Sequence, residues 1–113
     1  MALTILATYP QDIDKRTAYQ LTREPNVKKM IEATGSILNP EAFVLYEDAD
    51  AKSGEIKKVL TIKCDNEIFG TISSTFINAF MDAADYFEGT PGPIEIVTGE
   101  TKNGREYVTC KIV

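Results

Sequence analysis

The sequence predicts a small, mainly β domain with added helices. Five strands in the order β-β-β-α-β-β close as a Greek-key barrel behind a short helical N-terminal extension. Three observations carry this expectation. From Ser74 to Glu88, Phe76, Ile77, Phe80, Met81, Ala84 and Phe87 recur at spacings of three and four, which is one apolar face of a helix. Three runs with a period of two precede that helix. A further strand, the hairpin signal Asn103-Gly104 and a last strand follow it.

At 113 residues the chain fits one domain with one core. Residues 1–35 are expected to form the extension and residues 36–113 the barrel on which it packs. Hydrophobic residues at 43% and charged ones at 26% are ordinary for a folded soluble protein, and no apolar run approaches a membrane span. The opening MALTILATYP lacks the basic start and long apolar core of a signal peptide, so a cytoplasmic location is expected. Cys64 and Cys110 both fall in strand patterns and read as two buried thiols rather than a disulfide.

Taken in order, residues 1 to 12 show no clear period, though Leu3, Ile5 and Leu6 suit a short strand or packing arm. Asp12 and Asp14 lead into a first helix with Ala18, Leu21 and Tyr19 on its apolar side, and Pro25 breaks it. A second helix is expected from Asn26, its cap, to Thr34, with Val27, Met30 and Ile31 buried and Gly35 as terminator. Two helices this short must pack on the barrel or on another subunit. Ile37 to Asp48 reads as a long first strand, bent near Asn39 and Pro40 because proline cannot donate to a ladder.

After a polar loop, Ala49 to Gly54, the second strand runs from Glu55 to Cys64. Its alternation sets Ile56, Leu60, Ile62 and Cys64 against Lys57, Val59, Thr61 and Lys63, with Lys58 intruding on the apolar side. Asp65 and Asn66 turn the chain into Glu67 to Ile72, where Ile68, Gly70 and Ile72 oppose Glu67, Phe69 and Thr71. The helix that follows has hydroxyl caps at Ser73, Ser74 and Thr75 and a stop at Gly89. Pro93 to Thr98 makes the fourth strand. The last, Arg105 to Val113, sets Val108, Cys110 and Ile112 inward and Tyr107, Thr109 and Lys111 outward. This order is that of the oligonucleotide-binding (OB) fold.

Enzymatic constellations are absent from the sequence. Without histidine no Ser-His-Asp or Cys-His nucleophile can be built, two cysteines cannot close a zinc site, and the glycines have turn spacing rather than phosphate-loop spacing. Glu47, Asp48 and Asp50 lack the fixed spacing of a calcium loop and read as a solvated acidic turn. Neither a catalytic role nor a cofactor or metal is expected. The strands offer a different chemistry. Lys57, Lys63, Phe69, Tyr107 and Lys111 would share the outer sheet face, with Lys102 and Arg105 at the last hairpin and Lys52 on the first loop. Cations follow phosphates and flat rings stack on bases, the mixture a single strand needs. The competing placement has Phe69 and Tyr107 packed beneath the N-terminal helices and the lysines merely solvated.

The stretch from Ser36 to Val113, through FVLYED, KKVLTIKCDNEIFGTISSTFINAF and PIEIVTGETKNGREYVTCKIV, resembles the small single-stranded DNA-binding proteins of phages and bacterial mobile elements. SSTFINAF and KNGREYVTCKIV are its most specific parts. The resemblance implies coating of single-stranded DNA in replication or recombination, replication or recombination proteins as partners, and Lys57, Lys63, Phe69, Tyr107 and Lys111 as contact positions. A homodimer through the barrel and the small helices is a further expectation. The net charge of −5 admits a second class of function, an acidic interaction protein that presents carboxylates where DNA would sit, as an inhibitor of a host nuclease or defence complex.

Overall fold

A computed structural model describes residues 2–23, 27–49, 52–64 and 67–113. The expected break at Pro25, the cap at Asn26, the turn at Asp65 and Asn66, and Asp50 lie outside them. The described chain is mainly β, with eight strands in two sheets and two α-helices. In chain order these are β1 (Ala2–Tyr9), α1 (Lys15–Arg23), β2 (Lys28–Lys29), a 3-10 turn (Met30–Ala33), β3 (Ile37–Leu38), β4 (Ala42–Ala49), β5 (Ile56–Cys64), β6 (Glu67–Thr71), α2 (Ser74–Tyr86), β7 (Ile94–Glu100) and β8 (Glu106–Ile112). The larger sheet has the order β1-β4-β5-β6-β2 and the smaller one β3-β7-β8.

The long first strand is bent where proline demands it. Ile37 and Leu38 pair with β7, the chain turns at Asn39 to Glu41, and Ala42 to Ala49 pair with β5 on one side and β1 on the other. One stretch of chain thereby joins both sheets. The expected closed barrel does not form, because no ladder connects β6 to β8 among the described residues. The edge of β6 is taken by β2, which pairs with it in parallel, Lys28 opposite Phe69 and Lys29 opposite Gly70. The helix expected from Asn26 to Thr34 is replaced over its described part by this strand and the 3-10 turn. Its apolar spacing serves Met30 and Ala33, which are buried, while Glu32 accepts the Lys29 N–H at 3.2 Å.

α2 closes the main core. The Ser73 hydroxyl accepts the Phe76 N–H at 3.3 Å as the N-cap, and Phe76, Ile77, Phe80 and Ala84 are buried. They meet Phe43, Leu45, Leu60, Ile62 and Phe69 from the larger sheet and Ile94, Ile96 and Val108 from the smaller. Phe80 meets the Phe43 ring edge-on at 5.1 Å. The helix ends at Tyr86, three residues before the expected glycine. Glu88 takes the left-handed conformation, φ 57°, and the Gly89 N–H reaches back to the Ala84 carbonyl at 2.9 Å. Gly89 serves close packing instead, since a Cβ there would lie 2.9 Å from the Tyr9 ring.

A second, smaller core lies on the opposite face of the larger sheet. Leu21 of α1 packs there with Ala42, Val44 and Tyr46, and Leu3, Ile13, Val59 and Ile68 border it. Asp14 starts α1, and hydrogen bonds from Thr17 hold its carboxyl below the usual range. With both faces covered, β4 is buried from Ala42 through Tyr46 without alternation. A bulge explains the missing period in β1. The register shifts between Ile5 and Ala7, so Leu3 packs toward α1 whereas Ala7 and Tyr9 pack toward α2.

Candidate nucleic-acid interface

The gap between β6 and β8, where a barrel would close, is a cleft of about 640 Å³. β5 contributes Val59 and Thr61, β6 contributes Gly70, the Val27 to Ile31 segment forms one wall, and Tyr107 stands on β8 opposite. Each wall has a local cause. Gly70 lets the Val27 segment lie close, because a Cβ there would come within 2.9 Å of Val27 Cγ1. Ser73 ties the β8 wall to the start of α2, its hydroxyl donating to the Val108 carbonyl at 3.2 Å. Tyr107 sits opposite Gly99 in the β7–β8 ladder and its ring lies across that glycine. A Cβ on Gly99 would meet the Tyr107 hydroxyl oxygen at 2.5 Å.

The candidate residues do not all gather here. Alternation along β5 puts Lys57 and Lys63 on the same face as Val59 and Thr61, each about 7 Å from its neighbour in the cleft floor. Arg105 immediately precedes the lining residues Glu106 and Tyr107 and is exposed. Of the predicted residues Tyr107 alone lines this cleft, while Lys57 lines a separate groove with Lys58 and Ile77. Lys102 is exposed on the β7–β8 turn, held by the Thr101 and Arg105 backbone pair at 2.8 Å, and Lys52 is exposed on the β4–β5 turn. Lys111 lies four residues beyond Tyr107 and pairs with Glu95 at 3.4 Å.

Phe69 requires a correction. The alternation within β6 is as expected, but the side bearing Phe69 faces the main core, where the ring is 5% exposed. The outer face carries Ile68 and Gly70 instead. That face is also less open than expected, because α1 lies across it and Thr61 is buried under the helix, donating to the Leu21 carbonyl at 2.6 Å. α1 thus covers the sheet face opposite the one that carries Phe69, and Tyr107 lines the cleft rather than packing beneath that helix.

Comparison of the chain with protein-family models, curated proteins and solved structures finds no match. The interface rests on its own chemistry. Lys29 and Tyr46 also line the cleft, and neither was marked by strand alternation. Burial, with Asp48 nearby, holds the Tyr46 hydroxyl above its usual pKa, so it stays neutral. Charge around the cleft is mixed. Lys57 stands opposite Asp48 and Lys58 opposite Glu47 in the β4–β5 ladder, and Glu106 lies on the β8 wall. The cleft can take a flat apolar group against Tyr107, with Lys29 as the cation in its lining.

Proposed function

We propose that the protein binds single-stranded DNA without sequence preference, using the two sheets as an open form of the OB arrangement. The observation that supports this best is the setting of Tyr107. Its ring is laid over Gly99 and lines an apolar cleft that also carries Lys29. A ring backed by glycine is held flat at little entropic cost, which suits stacking on a base. Lys29 in the cleft, with Lys57 and Arg105 exposed on or beside strands that contribute to it, supplies the charge to follow phosphates.

Fluorescence anisotropy of labelled oligothymidine at low and moderate salt, with a matched duplex as control, tests this. Binding to the single strand should weaken with salt as counterions are released. Tyr107→Ala should weaken it by roughly 5- to 150-fold, the equivalent of about 1–3 kcal/mol for one stacked base. Phe69→Ala acts differently, lowering stability by about 3–5 kcal/mol through the core. Wild-type affinity in a folded Tyr107→Ala variant would refute the interface.

A second reading has its own observation. Asp82, Asp85 and Glu88 are exposed at intervals of three along the end of α2, an acidic strip in a chain of net charge −5. It suits a basic protein partner. Absence of oligothymidine binding at both salts favours this reading.

A further inference from the structure

A second cavity, of about 660 Å³, lies where the end of β1 meets the last turns of α2, and it shares no lining residue with the Tyr107 cleft. Tyr9 forms its aromatic wall. The ring stacks on the buried Phe43 at 6.1 Å, and Gly89 leaves room for its edge, since a Cβ there would lie 2.9 Å away. Asp85 and Glu88 are the only charged residues in the lining; both are exposed, and neither has an ion-pair partner among the described residues. The setting adds to this charge. The C-terminal end of a helix carries partial negative charge, which basic side chains ordinarily offset. α2 has no basic residue in its last turn; Asp85 stands there instead, with Glu88 two residues past the end.

We infer that this cavity is a docking pocket for an arginine side chain of a basic protein partner. Charge complementarity selects the occupant. A cation supplies what the helix end lacks, and a guanidinium suits this lining better than an ammonium, because its plane stacks on an aromatic ring while its fork of N–H donors reaches the carboxylates. Tyr86 and Phe87 adjoin Glu88 in the chain, 82% and 49% exposed and edge-on to each other at 5.2 Å. They offer a polypeptide apolar surface beyond the pocket that a free small cation could not use. The inference narrows the acidic-strip reading to one pocket and stands whether or not the Tyr107 cleft takes DNA. Asp82 belongs to the strip but does not line the cavity, which separates a built pocket from diffuse attraction.

Amide chemical shifts of the isotope-labelled full chain, titrated with the capped peptide acetyl-Leu-Arg-Leu-amide, test the pocket. Saturable shifts should centre on residues 8–11 and 84–89. The same peptide with citrulline, which keeps the shape without the charge, should leave them unmoved, and free arginine should bind more weakly than the peptide. Asp85→Asn and Glu88→Gln should each weaken binding roughly 2- to 5-fold, the scale of a solvent-exposed ion pair, with circular dichroism to check folding. Asp82→Asn removes the same charge from the strip and should bind like the wild type. Absence of saturable shifts at millimolar peptide, equal binding of the citrulline peptide or of free arginine, or equal loss with Asp82→Asn would overturn the inference. In the last case the strip attracts basic chains without a pocket, and only the broader reading survives.

Discussion

Replacing Thr61 with valine tests how the N-terminal segment is fastened to the sheet. Thr61 is 2% exposed, and its hydroxyl donates to the Leu21 carbonyl at 2.6 Å across forty residues of sequence. That carbonyl lies in the last turn of α1, where acceptors have no partner within the helix, and four residues on stands Pro25, which has no N–H to give. Thr61→Val keeps the shape and strands the carbonyl beneath the helix. An unpaired buried acceptor costs about 1–3 kcal/mol, and the added methyl returns at most about 0.8 kcal/mol. The net loss is about 1–2 kcal/mol, or roughly 3–10 °C in Tm for a chain of this size. Urea unfolding followed by circular dichroism should show a lower midpoint with an unchanged slope, and amide exchange in α1 should quicken. Thr22→Val is the comparison. The Thr22 hydroxyl donates to the Ala18 carbonyl at 2.8 Å, which the helix already satisfies, so its loss should cost under about 0.5 kcal/mol. Equal effects from the two substitutions would refute the argument.

Two further outcomes follow from the helix end and the smaller sheet. Glu88→Gly should stabilise the domain by about 0.5–1 kcal/mol in the same urea assay, because glycine adopts the left-handed position at φ 57° without the Cβ clash. Burial pushes the Cys110 thiol up to about 11, so the unfolded chain loses this proton first as pH rises. Stability from this group is full below the unfolded thiol's range near pH 9 and declines as pH climbs toward 11. Cys110→Ala should flatten that part of an alkaline stability profile.

Much of the secondary structure was legible in the residues. The spacing of Phe76, Ile77, Phe80 and Ala84 and the Ser73 hydroxyl marked α2, and proline marked the bend between β3 and β4, because both signals act through the local backbone. Asn103-Gly104 likewise marked the β7–β8 turn, where Gly104 has φ 78°. The candidate site was legible only in part. Tyr107 lines the cleft as strand alternation suggested, but Lys29 and Tyr46 entered through elements whose partners lie far along the chain.

Sequence by itself determined which residues share a strand face, where α2 begins and where the first long strand bends. Tertiary structure decided which face turns inward. A period of two separates Phe69 from Ile68 yet is symmetric with respect to inside and outside, so only the arrival of α2 on one side and α1 on the other settled it. It also decided that Lys28 and Lys29 pair with β6, since a helical spacing yields to an open sheet edge when Gly70 admits Val27. That pairing occupies the edge that β8 would need, and the cleft exists because the barrel is left open there.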